Sequence, residues 1–211
     1  MTVFYHRPGA AKGLRAHRCS SCECGSPAHL REAAEASLKA LGVDTIGLYQ
    51  FHRPDPKVPY EDSIGAIKDL LDAGKVRLAG ISNATIDQID TARRILGDGH
   101  LASVQNQFSP AFRSSEAELR HCADLGITFL PWSPLGGIGR AGDLGTEHSA
   151  FQEIADAHGV SPQQVTLAWM LALAPVVIPI PGASRPASIT DSAQAADLVL
   201  TSAEVERLSQ A

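Results

Sequence analysis

The chain has 211 residues, a net charge of −5, 44% hydrophobic and 19% charged residues. That length suits one α/β domain with a real core, and the acidic balance argues against a nucleic-acid binder. No stretch of eighteen or more apolar residues suggests a membrane span, and Met1 to Arg18 lacks the apolar segment of a secretory signal. Four cysteines in a chain this long do not suggest a disulfide scaffold, so a reduced, cytoplasmic setting is expected.

Met1 to Gly25 is rich in Arg, His, Gly and Cys without apolar periodicity and is read as an irregular segment, residues 1–25. His17, Cys19, Cys22 and Cys24 could be drawn as metal ligands, but a second matching pair is missing, and no metal site is expected. From Ser26 the pattern changes. Ser26-Pro27 reads as an N-cap followed by Pro at the first helical position; Leu30, Ala34, Leu38 and Leu41 fall at helical spacing, and Gly42 stops the helix. Ile46 to Phe51 predicts a strand, Glu61 to Ala73 a helix and Val76 to Ile81 a second strand.

Thr85-x-x-Gln88 has the form of a capping box before a further helix, and Ala102 to Gln107 is a third strand. Ser115-x-x-Glu118 predicts a capped helix carrying Leu119 and Cys122 on its core face, and Ile127 to Trp132 a fourth strand. A Gly-rich loop follows, then helices over Ser149 to Ala157 and Pro162 to Leu173, a fifth strand at Val176 to Ile180, and helices near Pro186 to Ala196 and from Ser202 onward. Strands alternating with helices predict parallel βαβ units. Spacing alone leaves open whether they form part of a barrel or a doubly wound sheet, and five strands would favour the open sheet.

The chemistry-bearing residues gather at strand ends, where parallel α/β folds hold their ligands. His52 follows the first strand and suits acid–base work or orientation of a carbonyl. Ser82-Asn83 follows the second strand and Gln107 the third, and such groups can recognise another amide. Each alone would be a cap or turn residue; the repetition points to a site. Trp132, then Ser133 and Leu135, follow the fourth strand, where an indole could stack on a flat ring. Gly182, Ser184 and Arg185 stand between the fifth strand and a helix start, which suits a phosphate. Gly137-x-Gly139-x-x-Gly142 matches a dinucleotide fingerprint by letter, but it neither opens a helix at once nor belongs to the first βαβ unit, so it is read as a mobile loop.

Taken in order, Leu48-Tyr49-Gln50-Phe51-His52-Arg53-Pro54, Gly80-Ile81-Ser82-Asn83, Val104-Gln105-Asn106-Gln107, Trp132-Ser133-Pro134-Leu135-Gly136 and Ile180-Pro181-Gly182-Ala183-Ser184-Arg185 resemble the aldo-keto reductase family, its bacterial oxidoreductase branch above all. The resemblance covers residues 26–211. It implies the C-terminal part of a (β/α)8 TIM barrel, about five of eight βα units, and an NADP(H)-dependent oxidoreductase that interconverts a carbonyl and an alcohol. His52 would orient the carbonyl. Ser82, Asn83 and Gln107 would bind the nicotinamide carboxamide and Trp132 would stack on its ring. Ser133 and Leu135 would line the pyrophosphate path under a flap at Gly136 to Gly145; Gly182, Ser184 and Arg185 would take the adenosine phosphates, with Arg185 favouring NADP over NAD.

Departures set the other expectations. The family reaction needs a Tyr acid with Lys and Asp partners; Tyr5, Lys12 and Glu23 are present, but no strand pattern surrounds them. Asp191-Ser192 stands where relatives often carry Glu-Asn on the adenine. The chain is therefore expected to be a truncated form without turnover of its own, or alternatively a non-catalytic, nucleotide-sensing or partner-binding subunit. A small carbonyl compound is the expected substrate if the chain is active, with no nucleic-acid or membrane partner. An unclosed barrel leaves two sheet edges, through which an oligomer could form.

Overall fold

The computed structural model describes residues 2–3, 25–137 and 139–211, and it divides into two compact units, Met1–Val104 and Gln105–Ala211. His17, Cys19, Cys22 and Cys24, as well as Tyr5, Lys12 and Glu23, lie outside the described residues. None of the helices described is long and apolar enough to cross a membrane. Among the described residues no group of three or more His, Cys, Asp or Glu is placed to hold a metal.

In the first unit, β1 (Thr2–Val3), β2 (Ile46–Phe51), β3 (Val76–Ser82) and β4 (Leu101–Gln105) lie side by side in chain order. β1 and β3 both run parallel to β2, with Thr2 opposite Leu48 and Leu48 opposite Leu78. The strand at Thr2–Val3 falls within the segment that composition marks as irregular. Each later strand is reached through a helix: α1 (Pro27–Leu41) before β2, α2 (Tyr60–Asp72) before β3 and α3 (Ile86–Leu96) before β4.

These helices form for the reasons their sequences suggest. Ser26 accepts the N–H of His29 at 3.4 Å, Pro27 opens α1, and Gly42 ends it in the left-handed region at φ 65°. Leu30, Ala34 and Leu38 recur every fourth residue and form the buried stripe. Ala34 and Leu38 pack with Ile46, Tyr49, Leu70 and Val76, which locks α1 and α2 onto the strands. Burying each large side chain of this set contributes about 1.5–3 kcal/mol, so Leu70→Asp would break the layer. Thr85 and Gln88 form the expected capping box at α3, each side chain bonding the other's backbone N–H.

Gly25 has a packing reason. Its N–H donates to Asp55 Oδ2 at 3.0 Å and its carbonyl accepts Ser63 Oγ at 2.7 Å. A Cβ there would stand 2.8 Å from the Cβ of Asp55, so only Gly allows the approach. The bonds from Lys57 and Gly25 N–H groups hold the Asp55 carboxyl below its ordinary range.

The second unit carries α4 (Glu116–Leu125), β5 (Thr128–Phe129), α5 (Leu144–Glu147), α6 (Ser149–His158), α7 (Pro162–Leu173), α8 (Pro186–Gln194) and α9 (Ser202–Gln210). Its core is aromatic. Phe108 stacks on Trp169 with centroids 5.7 Å apart, and Phe151 meets the same indole edge-on at 5.7 Å. Every residue of α7 from Gln164 to Met170 is buried, the mark of a helix covered all round. Cys122 is buried, as its place on the apolar stripe suggests, and burial with Glu118 nearby pushes its thiol up to about 12.

Three details depart from the sequence reading. The strand expected over Ile127 to Trp132 is regular only at Thr128–Phe129, because Pro131 has no N–H to donate. Val176 to Ile180 forms isolated bridges, Val177 to Phe129 and Ile180 to Trp132, for the same reason at Pro179 and Pro181. Ser115 makes no side-chain capping bond to α4; Glu116 instead takes both Arg113 and Arg120 on its carboxylate.

Candidate active site

In the first unit the sites of interest lie where β2 and β3 end. His52 is exposed and directly follows Phe51. Asn83 follows Ser82 in the left-handed region at φ 55°, a conformation that Asn tolerates better than most residues. From there its Nδ2 donates to the backbone carbonyl of His52 at 3.0 Å. The two strand ends are thus tied by one of the predicted site residues acting on another. Ser82 is buried, and its Oγ accepts Gln50 Nε2 at 3.1 Å.

Gln50 was not singled out from the sequence. It lies buried beneath Ser82, donating also to the Ile81 carbonyl at 2.7 Å, while its Oε1 accepts Ser103 Oγ at 2.9 Å. The Ser103 hydroxyl therefore fixes which end of the amide faces Ser82. Gly80 makes room for it: a Cβ at that position would lie 2.0 Å from Gln50 Oε1. The available signal was a lone amide within the otherwise apolar or aromatic run Ile46–Phe51.

In the second unit three segments run side by side. Gln107 forms a parallel bridge with Trp132, and Trp132 another with Ile180. Backbone bonds join them: Trp132 N–H to Asn106 O at 3.0 Å, Phe108 N–H to Trp132 O at 3.4 Å and Ile180 N–H to Pro131 O at 3.1 Å. Gln107, Trp132 and the start of the 180–185 segment are thereby placed along one edge. Gln107 and Trp132 are half-buried there.

Beyond Trp132 the chain turns sharply. Ser133 has φ 52°, and Gly136, Gly137 and Gly139 all have positive φ, at 88°, 106° and 81°. Leu135 is buried and anchors the start of this turn. The glycine-rich segment that follows folds back on itself, with Arg140 Nη2 bonded to Glu147 at 2.6 Å and Gln163 Nε2 bonded to the Ala141 carbonyl. It contains the short α5, which the sequence does not announce, and Leu144 of that turn is buried. The letters Gly137, Gly139 and Gly142 thus belong to a loop, not to a dinucleotide turn opening a long helix.

Gly182, Ser184 and Arg185 are exposed, and Arg185 is the N-cap of α8 with Pro186 behind it. Its guanidinium pairs with no carboxylate among the described residues. That cation is exposed at the start of α8, where the helix dipole is positive, a combination that suits an anion. Asp191, one step along α8, is already occupied: Ser161 Oγ donates to one oxygen at 2.8 Å and Gln164 Nε2 to the other at 2.7 Å.

Comparison with known proteins identifies the family. A model of the aldo/keto reductase family matches residues 11–211, beginning ahead of Ser26. The chain is 36% identical over 187 residues to an uncharacterised oxidoreductase of Schizosaccharomyces pombe, covering 89% of this chain and 59% of that protein. It is 38% identical over 175 residues to a 6-dehydroglucose reductase of Novosphingobium aromaticivorans, covering 79% of this chain and 57% of that one. Among solved structures, a thermostable aldo-keto reductase, Tm1743, bound to the inhibitor epalrestat aligns with TM-score 0.78 and 28% identity over 88% of this chain and 66% of its own. An aldo/keto reductase from Klebsiella pneumoniae in complex with NADP and acetate aligns with TM-score 0.75 and 29% identity, over 88% and 65%. The chain spans about three-fifths of the length of these curated relatives. Its parallel strands with intervening helices are those of a partial (β/α)8 barrel. The chain belongs to the aldo/keto reductase family.

Proposed function

We propose that this chain binds NADP(H) and belongs to an oxidoreductase of carbonyl compounds. The observation that carries the reading is the alignment of Gln107, Trp132 and Ile180, the start of the 180–185 segment, side by side in the second unit. In that unit Trp132 supplies a flat apolar face for the nicotinamide ring, and Gln107 an amide that can both donate to and accept from its carboxamide. Ser133 and Leu135 border the path of the pyrophosphate. Gly182, Ser184 and Arg185 meet the adenosine phosphates, and the exposed guanidinium suits the 2′-phosphate that distinguishes NADP from NAD.

The residues fit the cofactor at the phosphate end in particular. A Cβ at Gly182 would meet nothing within 4 Å, and Ser184 and Arg185 are exposed. Asp191 makes a poor adenine partner, since both its oxygens are already taken by Ser161 and Gln164. When bound, the cofactor would supply the hydride.

The first unit carries its own candidates. Ser82 and Asn83 are assigned to the carboxamide, and Asn83 also holds the His52 backbone. His52, exposed at its strand end, orients the carbonyl by a hydrogen bond from its imidazole. Among the described residues His52 is the one side chain matched to carbonyl chemistry, and binding without measurable turnover is the expected behaviour. A positioned general acid typically contributes about 10²–10⁴-fold.

Fluorescence titration tests the reading. NADPH emission should rise or shift on adding the purified protein, and Arg185→Ala and Trp132→Ala should each weaken the response. An unchanged NADPH spectrum at high protein concentration would count against cofactor binding. Steady NADPH oxidation with a panel of aldehydes and ketones would overturn the expected lack of turnover.

A further inference from the structure

We infer that Arg113 is a positioning residue for Gln107, acting through the ring of Phe108; this rests on the reading of Gln107 as the carboxamide-binding side chain. Gln107 is bridged to Trp132, and Phe108, next in the chain, is fully buried. Ser109 and Phe112 then exchange backbone hydrogen bonds at 3.0 and 3.1 Å, which turns the chain at Pro110-Ala111. The return stroke brings Arg113 back over the residue beside Gln107. Its Cζ lies 5.5 Å from the Phe108 centroid and 4.8 Å from that of Trp169.

The guanidinium is held from several directions. Nη2 donates to Glu116 Oε2 at 3.1 Å, and Nη1 to the Ser209 carbonyl at 3.5 Å. Ser209 Oγ in turn accepts the Trp169 indole N–H at 3.0 Å, so α9 ties the cation and the indole together. A planar cation over two stacked aromatic rings restrains them more firmly than an aliphatic side chain would.

Two features point beyond ordinary packing. Arg113 Nε is buried with no hydrogen-bond partner among the described residues, an arrangement that serves stability poorly and asks for another reason. Gln107 and Phe108 are also neighbours on extended backbone, where successive side chains leave on opposite faces. Fixing the Phe108 ring in the aromatic core therefore fixes the direction in which the Gln107 amide leaves. Arg113 secures the ring that sets that direction without itself touching the ligand.

The test is calorimetric affinity for two ligands, NADPH and adenosine 2′,5′-bisphosphate, which keeps the adenosine phosphates but has no nicotinamide. Arg113→Met keeps the aliphatic stem and removes the charge; Arg113→Lys keeps the charge without the planar fork. Arg113→Met should weaken NADPH binding by about threefold to tenfold and leave the bisphosphate within about twofold of wild type. Arg113→Lys should recover part of the loss and serves as the variant of record if Arg113→Met does not fold. In a Gln107→Ala background, Arg113→Met should cause no further loss. Equal losses for both ligands would show a general loosening and overturn the inference, as would unchanged NADPH affinity or losses that multiply in the double variant. Wild-type protein that binds neither ligand removes the cofactor reading and this inference together; wild-type binding with an unaffected Arg113→Met removes this inference alone.

Discussion

The side-chain amide of Asn83 donates to the backbone carbonyl of His52 at 3.0 Å, from a residue that itself sits at φ 55°. One position therefore supplies both a left-handed turn and a tie between two strand ends. Asn83→Ala should lose the bond and strain the turn, destabilising the fold by about 1–2 kcal/mol. Asn83→Gly loses the bond but not the turn, and should be the milder change in a urea titration. Equal midpoints for the two variants would show that the backbone conformation carries none of the effect.

Gly80 lies against Gln50 and Ser103, where an added Cβ would come within 2.0 Å and 2.4 Å of their side-chain oxygens. Gly80→Ala should displace the buried amide and cost about 1–3 kcal/mol. Adding Gln50→Ala removes the nearer of the two obstacles and frees the Ser103 hydroxyl to turn away, so the double variant should be less destabilised than the sum of its parts. Additive losses in thermal melts would mean that the strands shift and the amide stays where it is.

Glu204 accepts the N–H and the hydroxyl of Thr201 through Oε2 and faces His158 Nε2 at 2.7 Å through Oε1. The Thr201 N–H, then His158 and the Thr201 hydroxyl, lower its carboxyl from 4.5 to about 2. Because the folded value lies below the unfolded one, this stabilisation is fully present above pH 4.5 and is lost as the pH falls toward about 2. Glu204→Gln should flatten that part of a plot of Tm against pH and reduce stability at neutral pH. An identical acid slope in the variant would place the titration elsewhere.

Cys122 is buried and its thiol is raised to about 12, so little thiolate exists at neutral pH. In a variant with Cys19, Cys22 and Cys24 changed to Ser, native protein should resist a disulfide reagent and react only once unfolded. Rapid labelling of the native variant would contradict the burial.

The helix pattern was largely legible because capping and apolar spacing are local. Ser26 and Thr85 cap as their sequences suggest. The strands after α4 were less legible, since Pro131, Pro179 and Pro181 remove N–H donors from otherwise apolar runs and leave bridges in place of ladders. Strand-end position singles out His52, Ser82, Asn83, Gln107 and Trp132 as candidates. The residues that support them were hidden because their partners are distant in sequence. Gln50 reaches Ser103 across 53 positions, and Arg113 reaches Ser209 across 96. No local pattern encodes such pairings.

Calorimetric titration of the purified chain with NADPH and, separately, with NADH tests the cofactor assignment most directly. NADPH should bind more tightly by about tenfold or more, the scale of a charge-assisted contact to the 2′-phosphate, and Arg185→Ala should erase the difference. Equal affinity for the two nucleotides, or no binding of either, would contradict it.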